Sequence, residues 1–195
     1  MNTLTLWHGG RDLEYSYKSF QSSKKGRWEH GPGVYLTTHY ERASSYAKGG
    51  GKTYLVEFSE GNDIENVKIP LSEVYEFVNS YVIKKKTKEV LDCILSNSQR
   101  TSDDNSIKAS YFLNIMINFD AIMPSKTEKL NEFLVNKGVD YSIVNRFGGR
   151  DETVFVIFNN HLIQKVKPVP AKEVNLSMWE IEPKFVAKKV KNNIF

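Results

Sequence analysis

The sequence predicts an α+β fold in a single domain. Short runs of β-branched and aromatic residues lie near the N-terminus and again after residue 138. Between about residues 70 and 137, apolar side chains instead recur at helical spacing. The chain has 195 residues, a length that suits one domain with a full core. We therefore predict one domain over residues 1–195, in which both ends of the chain build a β core around an α-helical insertion.

The first predicted strand covers Thr3 to Trp7 and ends in His8-Gly9-Gly10. Glycines at this point let the backbone approach a ligand closely or adopt positive φ. Residues 11–32 have little periodicity, which predicts a loop that could hold a short helix.

A strand, a turn and a helix follow between Gly33 and Ala47. Residues 34–37 favour a strand, and Thr38 with Glu41 matches a capping box at the start of a helix. Tyr35 then lies at the end of a strand, and Tyr46 lies about two turns into the helix. Two rings so placed can clamp a flat heteroaromatic group between them; the alternative is that both tyrosines are ordinary packing residues.

The remaining elements are predicted in the same way. Glycines at 49–51 stop the helix, and residues 52–58 alternate as a strand. Within the insertion, Ser125 with Glu128 forms a second capping box, and Gly138 ends that helix. Later strands are predicted over residues 139–144, 152–158 and 161–166, and an extension from about residue 168 to 195 wraps the body because its apolar residues need cover.

Composition indicates an ordinary globular protein. Hydrophobic residues make up 40% of the chain and charged residues 26%. The 27 Lys and Arg exceed the 23 Asp and Glu, so the formal net charge is +4, which is compatible with anionic ligands but does not require nucleic acid. The sequence contains neither a membrane-length apolar run nor a secretory leader pattern, so we expect a cytoplasmic protein. The single cysteine, Cys93, is expected to be buried and inert.

Three motifs in this order resemble a known family. His8-Gly9, Gly33-Val-Tyr35 with Tyr46, and the run that begins at Glu152 are similar to the H-Y-E motifs of ADP-ribosyltransferases of the diphtheria-toxin and poly-ADP-ribose-polymerase type. The match is distributed over most of the chain. The ordered set is far more specific than any one motif alone.

The resemblance implies a fold with a split β-sheet core and a role for each matched residue. His8 would hold a ribose hydroxyl of NAD⁺, and the backbone of Gly9 would bind the nicotinamide carboxamide. Tyr35 and Tyr46 would line the nicotinamide ring, and Glu152 would be the catalytic carboxylate. A carboxylate that faces the ribose stabilises the positive charge that develops there as the bond to nicotinamide breaks.

Further candidates depend on position. Thr37 could add a hydroxyl near the nicotinamide, and Arg11 could meet the NAD⁺ pyrophosphate, since a guanidinium matches phosphate geometry. Arg146, Phe147 and Arg150 lie on the loop that leads to Glu152; they are candidates for target recognition, and a plain solvated turn is an equal alternative. The sequence has no His or Cys cluster with metal-ligand spacing, so we predict no metal.

The predicted function is therefore mono-ADP-ribosyl transfer. The enzyme would cleave NAD⁺, release nicotinamide and transfer ADP-ribose to a protein or nucleic acid. Ala43 stands where the polymerase branch has serine, and no helical regulatory domain is apparent, which together favour transfer of a single unit. Two alternatives stay open: a catalytically silent binding protein of the same fold, and an NAD⁺ glycohydrolase that uses water. The composition suits a bacterial or phage effector, acting in the host cytoplasm if phage-encoded.

Overall fold

The computed structural model describes residues 2–11, 13, 29–98, 105–146 and 152–187. Most of the loop predicted for residues 11–32 lies outside the described residues, and so does most of the polar stretch between residues 97 and 105. Within the described ranges the protein is α+β, as predicted, with a largely antiparallel sheet.

The elements follow the predicted order, with strands at both ends of the chain and helices between them. The strands are β1 (Asn2–Gly10), β2 (Val34–Thr37), β3 (Lys52–Ser59), β4 (Lys68–Pro70), β5 (Ser106–Lys108), β6 (Tyr141–Arg146), β7 (Glu152–Ile157), β8 (Ile163–Pro168) and β9 (Val186–Ala187). The helices are α1 (Tyr40–Tyr46), α2 (Leu71–Tyr81), α3 (Lys84–Ser98), α4 (Ala109–Asn118) and α5 (Thr127–Asn136).

The main sheet has the strand order β6-β7-β2-β1-β3-β8. Its central strand, β1, pairs with β3 along its whole length, from Thr3 opposite Ser59 to Gly10 opposite Lys52. On its other side β1 pairs with β2 at one position only, Trp7 opposite Thr37, while β9 pairs with the beginning of β1. The sheet is therefore almost divided between β1 and β2.

The two faces of the sheet have separate cores. Because residues opposite each other in antiparallel strands share a face, Trp7, Thr37 and Val154 lie on the same face. The other face carries a buried cluster to which β1, β2, β3 and β7 all contribute; it includes Leu6, Leu36, Val56, Phe58 and Phe155. The alternation of strand side chains thus provides both faces with apolar cover.

The insertion forms a helical layer against one part of the sheet. Helices α2 to α5 bury an apolar cluster centred on Phe77 and Phe112, which also includes Val154 and Val156 of β7. The short strands β4 and β5 pair within this region and were not predicted. Cys93, expected to be buried, is half-buried and packs against the same cluster. Among the described residues, no helix combines the length and the apolar character needed to cross a membrane.

The C-terminal extension is described as far as residue 187, and this part contacts both β1 and the corner between β2 and α1. Trp7 is completely buried, and its Nε1–H donates a hydrogen bond of 2.7 Å to the carbonyl of Met178. The backbone N–H of Tyr40 donates to the carbonyl of Trp179, and the N–H of Ile181 donates to the carbonyl of Thr38. The extension therefore fixes the corner between β2 and α1.

Both predicted capping boxes are wrong. Helix α1 begins at Tyr40 with His39 as its N-cap, because Thr38 is still engaged with β7: its hydroxyl accepts the N–H of Thr153 at 3.1 Å. At the second site, a 3-10 turn at Pro124–Lys126 occupies the predicted cap position, and α5 begins at Thr127. A 3-10 turn likewise delays β8, which begins at Ile163 rather than at residue 161.

Candidate active site

The corner between β2 and α1 contacts the first residue of β7. Thr37 Oγ1 donates a hydrogen bond of 2.9 Å to Glu152 Oε1. Arg42 Nε lies 3.5 Å from Glu152 Oε2, so both carboxylate oxygens have a partner. The Glu152 side chain is 11% exposed and that of Arg42 is 44% exposed.

The hydroxyl of Thr37 makes two hydrogen bonds at this corner. Its Oγ1 also accepts the backbone N–H of His39 at 3.1 Å, so the single hydroxyl proton is the one given to Glu152. Thr37 is itself buried. The hydroxyl therefore holds Glu152 Oε1, and the proposed place of Thr37 near the nicotinamide stays a prediction.

His8 follows Trp7, the one position at which β1 pairs with β2. It therefore lies at the opening between these strands, by which we mean the stretch over which they are unpaired. Its Nδ1 is 2.9 Å from the carbonyl oxygen of Tyr35, and because a carbonyl can only accept, Nδ1 carries the proton. Burial lowers the pKa of His8, and the hydrogen bond to Tyr35 opposes this in part. The neutral ring then has an unprotonated Nε2, which can accept a hydrogen bond from a hydroxyl group.

The lowered pKa of His8 predicts that stability falls with acid. In the unfolded chain His8 takes up a proton near its ordinary pKa of about 6.5, whereas in the folded protein it does so only at lower pH. Between those two values the unfolded state binds more protons, so the free energy of unfolding decreases as the pH falls. Urea unfolding at several pH values between 7 and 5 should show a shallower decrease for His8→Asn, whose amide nitrogen can replace Nδ1. Equal slopes in the two proteins would contradict the assignment.

Two glycines after His8 have close neighbours. A Cβ atom at Gly9 would lie 1.7 Å from the carbonyl oxygen of Ala43, so α1 packs directly on the backbone of β1. A Cβ atom at Gly10 would lie 2.8 Å from His8 Nε2, the one ring nitrogen that the Tyr35 carbonyl does not engage. Glycine at position 9 thus admits the helix, and glycine at position 10 avoids a close contact with His8 Nε2.

The two tyrosines differ in exposure. The hydroxyl of Tyr35 donates to the carbonyl of Gly31 at 2.8 Å and accepts the N–H of His30, and its half-buried ring packs against the helical cluster. Tyr46, the last residue of α1, is 60% exposed. Among the ring contacts found within the described residues, Tyr35 has His30 as its partner at 6.5 Å, and Tyr46 has none. The rings of Tyr35 and Tyr46 therefore do not stack on each other.

Arg11 lies near the end of α1. Its side chain is exposed, and a Cβ atom at Gly49 would lie 3.9 Å from its Nη2, which puts the guanidinium beside the turn that follows the helix. The hydroxyl of Tyr54 donates to the Arg11 carbonyl at 3.4 Å. Arg11 is thus available to an anionic ligand, although its position beside a helix C-terminus is also favourable in itself.

The predicted target-recognition residues are described only in part. The backbone of Arg146 pairs directly with that of Glu152 at the end of β6. Its side chain, together with the whole of Phe147 and Arg150, lies outside the described residues.

The predicted site residues Thr37, Glu152 and His8 do not line one cleft but lie on two faces of the sheet. Thr37 and Glu152 share the face of the sheet that α1 covers. His8 follows Trp7 by one residue, so it projects on the other face, where it lies opposite Tyr54. The narrow pairing between β1 and β2 separates His8 from the other two residues. A single ligand that contacts both His8 and Glu152 must therefore extend through the opening between β1 and β2.

The contact that sequence reasoning missed is Arg42. It is the residue before Ala43 on α1, and the separation of 110 positions from Glu152 gives no local signal of an ion pair. Within the described residues, no group of three His, Cys, Asp or Glu side chains is placed to hold a metal ion. Comparison of the chain with protein-family models, curated proteins and solved structures finds no match.

Proposed function

We propose that this protein is a mono-ADP-ribosyltransferase that cleaves NAD⁺ at the bond between nicotinamide and ribose. The main support is the arrangement at Glu152, which the H-Y-E resemblance nominates as the catalytic carboxylate. Thr37 and Arg42, both from the corner that carries the tyrosine motif, contact its two oxygens. The three motifs, distant in sequence, lie on neighbouring strands of a nearly divided sheet, with His8 on one face and Thr37 and Glu152 on the other.

Cleavage of NAD⁺ requires the carboxylate to stabilise a positive charge. As the C–N bond breaks, its electron pair leaves with neutral nicotinamide, and positive charge develops on the ribose. Glu152 stabilises that charge in the transition state more than in the ground state. The acceptor then forms the new bond to the ribose carbon and gives up its proton, for which Glu152 is the available base.

The remaining residues suit different parts of a dinucleotide. NAD⁺ has two ribose rings joined through a pyrophosphate, so it is long enough to contact both faces of the opening between β1 and β2. Neutral His8, with Nε2 as acceptor, suits a ribose hydroxyl. The exposed ring of Tyr46 can stack on nicotinamide, and the guanidinium of Arg11 suits the pyrophosphate.

The proposal predicts that Gly10→Ala weakens NAD⁺ binding without unfolding the protein. The added methyl group would occupy the space 2.8 Å from His8 Nε2, and the Tyr35 carbonyl holds the ring in place. Loss of one hydrogen bond corresponds to about a ten-fold rise in KM for NAD⁺. KM is measured from nicotinamide release, and urea unfolding checks the fold. A variant that is stable and has an unchanged KM would show that Nε2 does not contact the substrate.

The direct test is incubation of the purified protein with NAD⁺ labelled in its adenylate part. Transfer predicts that nicotinamide appears together with label on a protein or nucleic acid when cell extract is added. Nicotinamide release without extract, and with no labelled macromolecule, would instead identify a glycohydrolase. If no nicotinamide appears under either condition, the proposal is wrong and a silent binding protein is supported. Mass spectrometry of labelled extract would identify the acceptor.

A further inference from the structure

Arg42 is the residue whose contacts call for an explanation beyond the resemblance. It is partly exposed on α1, and its Nε lies 3.5 Å from Oε2 of the nearly buried Glu152. Thr37 donates to the other oxygen, Oε1, at 2.9 Å. The carboxylate therefore has a neutral donor on one oxygen and a cation on the other. Both partners come from the same short stretch of chain.

The backbone that carries Arg42 is held in place by the contacts of neighbouring residues. The next residue, Ala43, is completely buried and packs its carbonyl against Gly9 of β1. At the start of the helix, the N–H of Tyr40 is held by the carbonyl of Trp179. The backbone that carries Arg42 is thus anchored both to the sheet and to the C-terminal extension, so the guanidinium is presented to Glu152 from a rigid support.

The sign of the charge limits what Arg42 can contribute. A guanidinium next to the carboxylate opposes the positive charge that develops on the ribose, so it cannot stabilise that transition state directly. What it can do is hold the Oε2 side of the carboxylate by charge attraction, because Nε lies 3.5 Å from Oε2 and the pair is shielded from water on the Glu152 side. Correct placement of a reacting group matters greatly: a shift of about 1 Å can cost roughly 100-fold in rate.

We propose that Arg42 is a positioning residue that, together with Thr37, orients the Glu152 carboxylate toward the ribose of NAD⁺. This inference rests on the proposed function. The inference extends the proposed function by assigning a role to a side chain outside the three motifs. Arg42 acts through Glu152, so its loss should lower kcat and leave KM for NAD⁺ nearly unchanged.

The test compares three substitutions in nicotinamide release. Arg42→Ala should lower kcat about 10- to 100-fold, with KM within about two-fold of wild type. Arg42→Gln, which keeps much of the length but no charge, should be nearly as slow. Arg42→Lys keeps a cation without the planar fork and should be intermediate. Because Arg42 is 44% exposed, guanidinium ions added at millimolar concentration should partly restore the activity of Arg42→Ala, which a purely structural role would not allow.

The matched control is Lys48→Ala. It removes an exposed positive charge from the turn after the same helix, and its activity should equal that of wild type. If Arg42→Ala unfolds, the comparison of Arg42→Lys with Arg42→Gln decides the matter. Active wild type with equally active Arg42 variants would overturn the role of Arg42 alone. Arg42 variants with a higher kcat than wild type would also overturn this role, since they would indicate that the contact between Arg42 and Glu152 is inhibitory. Inactive wild type would overturn the proposed function and this inference together.

Discussion

Glu152→Gln should lower kcat for NAD⁺ cleavage by roughly 10²- to 10³-fold, the usual cost of losing one electrostatic contact to a transition state. The substitution keeps the shape of the side chain and removes its charge. The amide oxygen can still accept the Thr37 hydroxyl, but an amide NH₂ on the other side would face Arg42 Nε with two donors and no acceptor. The developing charge on the ribose would then have no partner.

The measurement separates catalysis from binding. KM, or the dissociation constant of NAD⁺ measured by calorimetry, should change little, because the charge matters only as the bond breaks. Glu76→Gln is the matched control, since it makes the same chemical change at an exposed site on α2. Turnover that survives in Glu152→Gln would remove the catalytic assignment, and with it the main support for the proposed function.

The fold could be predicted largely because its signals are local. Alternation predicts β3, the concentration of β-branched and aromatic residues predicts β7, and helical spacing predicts the insertion. Predictions failed at helix starts, at the start of β8 and at the short strands β4 and β5. Thr38 and Ser125 match the local pattern of a cap, yet at the first site a distant strand competes for the hydroxyl, because Thr153 donates its N–H to Thr38 Oγ1. Local chemistry alone does not reveal such a tertiary competitor.

The candidate site could be predicted only in part, for a similar reason. The motif residues stand out singly in the sequence, but their grouping depends on sheet register. Because β1 pairs with β2 only at Trp7 and Thr37, His8 and Glu152 project on opposite faces, and a register is not readable from either strand alone. The ion pair between Arg42 and Glu152 likewise exists only after β2 and β7 have paired. The sequence therefore identifies the candidate residues, and the tertiary structure determines which of them are in contact.

Gly9→Ala should destabilise the protein by about 3–5 kcal/mol, among the largest effects expected of one substitution. The new Cβ atom would lie 1.7 Å from the carbonyl oxygen of Ala43 and 2.5 Å from its carbonyl carbon, which are backbone atoms that cannot rotate away. Helix α1 would have to move off β1. For a chain of this size such a loss corresponds to a fall in Tm of about 10 °C, measurable by circular dichroism or urea unfolding.

Gly50→Ala provides the control for the substitution itself. Among the described residues other than its chain neighbours, no heavy atom lies within 4 Å of a Cβ at position 50, and the cost there is the positive φ of 91°, worth about 1 kcal/mol. A Gly9→Ala protein as stable as Gly50→Ala would show that α1 does not pack as tightly on β1 as the structure indicates.

The expected large difference in stability between Gly9→Ala and Gly50→Ala also bears on NAD⁺ binding. It gives position 9 a packing reason to be glycine, independent of nicotinamide, so the presence of Gly9 does not by itself support NAD⁺ binding. The case for NAD⁺ must instead depend on groups whose chemistry packing does not explain, namely His8 Nε2 and the carboxylate of Glu152.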